Sequence, residues 1–290
     1  MEDSCCEISN SLGESIAGTA IVNTTRWLML EVPGSWAPKA IESTSIQGAV
    51  RTHIERALEM IPGSRLQLIR RPAATNGITL MAATSTSAEQ TVYRLVLNSI
   101  EEIAGIDIAA LFQGGAGSER LQDTLYLVCS HGIRDHCCAR EGIPVFNALQ
   151  QERPGMVWQT THLGGHRFAA TLVALPVGIQ FGRVAAEDVH DLTSSLDDQR
   201  IYRLDRYRGM TEGTRHMQVA EAHLRATGPH LQLHAVQHQK STDTGEVFEV
   251  QGRTVCVSVR SHADPRPRPF SCGDERLRTP PIHEATVSSL

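Results

Sequence analysis

Positive charge is in short supply in this 290-residue sequence: 27 Lys and Arg stand against 32 Asp and Glu, for a formal net charge of −5. Without a cationic surplus nothing neutralises a phosphate backbone, so the expectation is no nucleic-acid partner. Only two lysines occur, Lys39 and Lys240, a habit of composition that carries no function. Long hydrophobic runs are missing too. The most apolar stretch, Phe168 to Phe181, is bounded by Arg167 and Arg183, contains Pro176 and falls short of the ~20 residues that a bilayer requires. No membrane span is expected. The first residues, Met-Glu-Asp-Ser-Cys-Cys, are acidic where a secretory signal is positive, and they lack the Arg-rich look of a transit peptide. The expected compartment is the cytoplasm.

Catalytic signatures are absent as well. There is no Gly-x-Ser-x-Gly nucleophile elbow and no His-Glu-x-x-His. The run Gln113-Gly-Gly-Ala-Gly-Ser118 has no Lys-Ser/Thr pair after it, so it reads as a linker and not as a phosphate loop. Acids such as Glu101, Glu102, Asp197 and Asp198 form ordinary solvated clusters rather than the positioned pair that glycoside hydrolysis needs. No Cys-x-x-Cys occurs, which weakens a thiol–disulfide enzyme, and no repeat of solenoid period is present.

What the chain does have is 41% hydrophobic and 20% charged residues, globular composition with length enough for one large or two modest domains. It also has seven cysteines: Cys5, Cys6, Cys129, Cys137, Cys138, Cys256 and Cys272. An odd count cannot close a disulfide framework. In a reducing compartment, clustered thiols read as metal ligands or catalytic groups.

Apolar patterning organises the chain as α/β. Trp27 to Val32, closed by Pro33-Gly34, reads as a buried strand, and a helix is expected from about Ser45 to Ile61 before Pro62-Gly63. Strands follow at Arg65–Arg70, Ile78–Ala83 and Thr91–Leu97, with Asn76-Gly77 as one of the separating turns. The domain boundary is placed in the 113–118 linker, giving an N-terminal α/β domain (1–118), a second domain (119–275) and a flexible tail (276–290). The second domain opens with the strand Thr124–Cys129. A polar loop through Gly142, a helix beginning at Pro144 and a crossover to a parallel strand at Val157 come next. Apolar Ala169–Leu175 and a strand Ile179–Val184 follow, then a helix from Ala186 and another from about Thr214 to the stop Thr227-Gly228-Pro229. Leu231–Ala235 and Thr254–Val259 alternate as half-buried strands.

Cys129 closes a strand, and the carboxyl end of a strand is where α/β sheets gather chemistry. Eight residues separate Cys129 from Cys138, and three separate His162 from His166. Two thiols and two imidazoles thus stand in loops that a parallel sheet brings to one edge, which suits a four-ligand site. Gly164-Gly165 between the histidines disfavours a helix and lets the backbone pass close to a bulky group. Of the adjacent Cys137 and Cys138, one is expected to be a bystander, and these residues leave open which. Cys256, between valines, reads as a small buried hydrophobe; Cys5, Cys6 and Cys272 lean structural or incidental. Arg134 and Asp135 are expected to tie the intervening loop by side-chain to backbone bonds. His131 reads as a supporting donor, a proton relay or a surface residue. A zinc-stabilised Cys₂His₂ binding module and a thiol–disulfide redox protein stay open beside an iron–sulfur protein.

The run Cys129-Ser-His-Gly-Ile-Arg-Asp-His-Cys-Cys138, with Trp158 and His162-Leu-Gly-Gly-His-Arg-Phe-Ala-Ala170, resembles the sucrase/ferredoxin-like family. Gly13 to Ala20, Trp27 to Gly34 and Arg268 to Gly273 are similar to its amino- and carboxyl-terminal signatures, so the likeness covers about residues 5–273. The better-understood members are thioredoxin-like ferredoxins, in which two cysteines and two histidines bind a [2Fe–2S] cluster. The resemblance implies that fold for the second half, behind a smaller N-terminal α/β unit read as a degenerate thioredoxin-like one. It assigns the cluster ligands to Cys129, Cys138, His162 and His166, leaving Cys137 as an extra. Replacing two thiolates of a four-cysteine set by neutral imidazoles takes the oxidised site from −2 to neutral, which raises the reduction potential. The imidazoles also titrate, so the potential is expected to fall as pH rises. The implied role is an electron carrier rather than a substrate-transforming enzyme. Its reductase and acceptor are unnamed by these residues, and docking at net charge −5 must rely on a local patch around the His-Gly-Gly-His loop.

Overall fold

The computed structural model describes residues 4–72, 77–228 and 231–289. Asn76 of the expected turn and Pro229 of the expected helix stop lie outside the described residues. The described residues begin with a helix: α1 (Cys5–Ser11) is set by a capping box, in which Ser4 Oγ accepts from Glu7 N and the Glu7 carboxylate accepts from Ser4 N.

The near-continuous apolar run at Trp27 forms β1 (Arg26–Glu31), buried almost throughout, as a strand covered on both faces must be. Helix α2 (Gly48–Met60) turns Val50 and Ile54 inward and returns the chain to β2 (Ser64–Arg70), parallel to β1. Then β3 (Ile78–Ser85) lies antiparallel against the other side of β1, and β4 (Gln90–Leu97) against β3. A short α3 (Ile108–Leu111), capped by Asp107, leads to β5 (Glu119–Leu121) on the outer edge of β4.

The second half repeats this order. β6 (Leu125–Cys129) is followed by α4 (His136–Glu152), which crosses to the parallel β7 (Val157–Thr160). β8 (Leu172–Leu175) then lies antiparallel against β6, and β9 (Ile179–Phe181) against β8. Helix α5 (Val189–Asp197) precedes β10 (Tyr207–Met210), which pairs with β9. The halves join where β7 pairs with β2, so strands from both sides of the 113–118 turn share one ten-stranded mixed sheet, β10-β9-β8-β6-β7-β2-β1-β3-β4-β5. The fold class is α/β, with one large mixed sheet and several helices.

Helix α4 starts eight residues before the proline that was expected to open it. Asp135 caps it, its carboxylate accepting from Cys137 N. Pro144 sits inside the helix on its exposed side, where the carbonyl it leaves unpaired one turn earlier faces water. Val145, Phe146 and Leu149 are buried against Tyr126 and Val128, each contributing about 1.5–3 kcal/mol.

The opposite face of the sheet holds a core shared by both halves: Trp27, Met29, Ile69, Leu125, Leu127, Cys129 and Trp158.

Beyond the large sheet, α6 (Arg215–Ala226) is capped by Thr214. Leu233–Ala235 is a 3₁₀ turn instead of part of a strand, and β11 (Val236–Thr242), β12 (Gly245–Val250) and β13 (Arg253–Ala263) form an antiparallel sheet over Ala220 and Leu224 of α6. After the small pair β14 (Arg268–Pro269) and β15 (Leu277–Arg278) comes β16 (Pro281–Ser289), in register with β13 from Ala263 opposite Pro281 to Val255 opposite Ser289. The segment expected as a flexible tail is therefore mostly strand. Its apolar Ile282, Ala285 and Val287 are too few, and too irregularly spaced, to announce an edge strand without the partner in view.

Candidate metal centre

Cys129 ends β6 with its side chain on the shared core face, and Cys138 reaches it from the first turn of α4. Close approach of helix and strand is possible only because residue 142 is glycine: a Cβ there would lie 2.0 Å from the Cys129 carbonyl oxygen. His162 follows β7. The Sγ atoms of Cys129 and Cys138 and a ring nitrogen of His162 all lie within 4.8 Å of one another, and Cys138 Sγ is 3.7 Å from His162 Nδ1.

His166 stands beside them, its ring centroid 5.1 Å from that of His162. Its Nε2 faces the Phe270 carbonyl oxygen and lies 3.5 Å from Asp135 Oδ2. Donation at Nε2 leaves the lone pair on Nδ1, and that buried Nδ1 has no hydrogen-bond partner among the described residues. A metal-bound histidine has this arrangement: the outer N–H goes to a carbonyl or carboxylate, which fixes the tautomer and aims the free nitrogen. Burial pushes the His166 pKa down, against the pull of Asp135, which favours the neutral ring.

The loop between the histidines is fastened at three successive carbonyls. Arg65 Nη2 donates to His162 O at 3.1 Å, Gln180 Nε2 to Leu163 O at 2.8 Å and Arg208 Nη1 to Gly164 O at 3.0 Å. Gly164 and Gly165 both have left-handed backbone, with φ of +75° and +64°. At Gly165 the need for glycine is double, since a Cβ would come within 2.4 Å of Arg208 Nη2.

His131, buried, accepts from His162 N at Nδ1 over 3.3 Å; burial holds its pKa down, so it stands behind the site as a neutral acceptor. Asp135 ties the loop as expected, accepting from Cys137 N and Cys272 N. Arg134 is exposed and joins the loop through its backbone N–H to His131 O.

The thiols differ sharply. A hydrogen bond from Cys138 holds the Cys129 thiol well below its ordinary range, with burial opposing and His162 assisting. The same shared bond and burial push Cys138 upward. A low-lying buried thiolate calls for nearby positive charge, and Arg208 supplies it. This guanidinium is 1% exposed, bonds only to Thr19 and Gly164 among the described residues, and has no carboxylate beside it. Burial takes its pKa down to about 9, so it is cationic at neutrality. Arg65, Gln180 and Arg208 were not legible as site residues, for nothing in their local sequence marks a donor that acts across the sheet.

The remaining thiols are not scattered. Cys5, Cys6, Cys137 and Cys272, expected as incidental residues or a bystander, pack against one another next to this site, and only Cys256 stays apart, buried in the second sheet as expected. Two soft thiolates and two imidazoles suit iron in a cluster, or zinc.

Over 103 residues the chain is 32% identical to "Altered inheritance of mitochondria protein 32" of Meyerozyma guilliermondii, a match covering 32% of this chain and 36% of that protein. The chain thus spans 36% of the length of this curated relative. No solved structure matches significantly. The sucrase/ferredoxin-like model matches residues 17–209, a span that includes both repeats of the large sheet and the whole thiol–imidazole group, and the chain belongs to the sucrase/ferredoxin-like family.

Proposed function

We propose that this chain is an electron-transfer protein carrying a [2Fe–2S] cluster on Cys129, Cys138, His162 and His166. The observation that carries the reading is His166 Nδ1, buried without a hydrogen-bond partner among the described residues, beside a thiol–thiol–imidazole triad whose atoms lie within 4.8 Å of one another. When bound, such a cluster supplies a one-electron couple whose potential follows its ligands and surroundings.

The chain's own residues do the rest. Phe270 O and Asp135 orient His166, and His131 accepts the backbone N–H of His162. Arg208 sets a buried positive charge against the site, and Trp158 and Leu163 exclude water from it. In this reading residues 119–275 are a thioredoxin-like ferredoxin unit and residues 1–118 a degenerate one. Two parallel strands joined by a helix, then one antiparallel strand against the first and another against that one, support both assignments.

A cleft of about 610 Å³ opens at the His-Gly-Gly-His loop, lined by Arg65, Arg167, Arg208 and Arg215 and by no carboxylate. An acidic face on the reductase or acceptor would fit there. No described helix is long and apolar enough to cross a membrane. The same reading puts the chain in a reducing compartment, the cytoplasm, where seven free thiols persist.

The test is an iron and acid-labile sulfide assay on the full chain purified anaerobically. Brown protein with two irons and two sulfides per chain is expected; zinc in their place, with no sulfide, contradicts the proposal.

A further inference from the structure

We propose that Cys5, Cys137, Cys272 and Asp135 form a second metal site, a mononuclear tetrahedral zinc centre separate from the Cys129/Cys138/His162/His166 group. Three thiols from distant parts of the chain converge with a carboxylate: one ligand atom from each of Cys5, Asp135, Cys137 and Cys272 lies within 4.8 Å of the others. Cys5 Sγ lies 3.5 Å from Cys137 Sγ, Cys272 Sγ is 3.4 Å from Cys137 Sγ and 3.5 Å from Cys5 Sγ, and Cys6 Sγ is 2.9 Å from Cys137 Sγ.

The spacing selects the metal. With Zn–S of about 2.3 Å, tetrahedral geometry sets sulfurs ~3.8 Å apart, so the group needs only a small outward movement to receive one ion. A polynuclear cluster spreads its terminal thiolates around several irons, farther than a set this tight extends. The sulfurs are too far apart for a disulfide bond, which needs about 2.05 Å, and all four are free thiols.

Local structure explains how they meet. The Ser4 and Glu7 capping box starts α1 just where Cys5 and Cys6 fall. Asp135 accepts from Cys137 N at 3.0 Å and Cys272 N at 2.8 Å, so one carboxylate positions two ligands. Asp135 Oδ1 itself lies 3.8 Å from Cys5 Sγ, while Oδ2 takes Cys272 N and Ser271 Oγ. That makes Asp135 the fourth ligand, with Cys6 beside Cys137 outside the set. Cys137 and Cys138 follow one another on α4, where successive side chains point about 100° apart, and each serves a different site.

Charge supports the assignment as well. Three thiolates and one carboxylate around Zn²⁺ carry −2. The 17-residue α4 presents its N-terminus to Cys137, and Arg140 Nη2 donates to Cys6 Sγ at 3.2 Å. Without a cation the thiols of the set hold their protons: burial pushes Cys272 up to about 11, and the hydrogen bond with Cys5, assisted by burial, pushes Cys137 upward. Zinc would displace those protons as it binds. Bound there, it would pin both ends of the chain to the start of α4, beside the carbonyl of Phe270 that faces His166.

Metal analysis of the full chain by mass spectrometry tests this, and it does not depend on the iron assignment. The wild type is expected to hold a single zinc. Cys272→Ser and Cys5→Ser should lose it while keeping iron and visible absorption, and Cys129→Ser should do the reverse. If a variant fails to fold, titrating wild type with a mercurial should release zinc as its thiol ligands react. Wild type without zinc, a Cys6–Cys137 disulfide in the unreduced protein, an additional iron in place of zinc, or zinc retained in folded Cys272→Ser overturns the proposal. Zinc without iron leaves it standing and removes the cluster instead.

Discussion

The Asp135 carboxylate lies 3.5 Å from His166 Nε2 while it caps α4 through Cys137 N. One side chain therefore orients a proposed cluster ligand and starts the helix that delivers Cys138. Asn caps helices about as well as Asp, so Asp135→Asn separates the two roles. The variant should fold with wild-type helicity yet retain iron roughly 10–100-fold less well against a chelator. Equal retention would show that His166 is held without Asp135.

The two glycines between the histidines carry different constraints. At Gly164 the nearest atom to an added Cβ is 3.9 Å away, whereas at Gly165 it is Arg208 Nη2 at 2.4 Å. Gly164→Ala should cost only left-handed backbone strain, about 1–2 kcal/mol. Gly165→Ala should cost more and displace His166. Denaturant midpoints and iron content of the two variants, measured side by side, check the difference.

A buried ionic network clamps the site's surroundings. Glu14 accepts from Arg167 Nε at 2.9 Å and Arg268 Nε at 3.0 Å, and Arg268 also reaches Asp264 at 2.9 Å. Arg268 is 2% exposed and Glu14 7%. Glu14→Gln leaves Arg167 without its carboxylate and Arg268 with Asp264 alone, and should lower stability by about 3–5 kcal/mol, read as the shift in unfolding free energy. A cost below 1 kcal/mol would make the network ornamental.

Acid should weaken the fold partly through Asp188. Burial would raise its pKa, but hydrogen bonds from Ala185 N, the Tyr202 hydroxyl and Arg206 Nε outweigh it and hold the carboxyl below its ordinary value. A depressed carboxyl contributes stability that is present above its unfolded pKa, near 4, and is lost as pH falls through the folded value. Asp188→Asn should be less stable than wild type at pH 7, with the gap narrowing below pH 4. A gap independent of pH would contradict this.

Much of the architecture was legible because apolar runs and turn residues agree with it: β1 to β4, α2, β6, β7 and α6 fall where the pattern put them. The start of α4 was not, since Pro144 imitates a first-turn proline and the true cap, Asp135, sits in a run too polar to show helical periodicity. Cys129, Cys138 and His162 were readable as a group from their spacing. The role of Cys137 was hidden, because its partners at positions 5, 6 and 272 meet it only through folding of both chain ends. Arg208 was hidden for the same reason, as a lone arginine in β10 gives no sign of the loop it holds across the sheet.

The central claim rests on His166 as a ligand, and an anaerobic visible absorption spectrum of wild type beside folded His166→Ala tests it most directly. The account predicts sulfide-to-iron charge-transfer bands in the wild type that are lost or shifted in the variant. Identical spectra from the two proteins would contradict it.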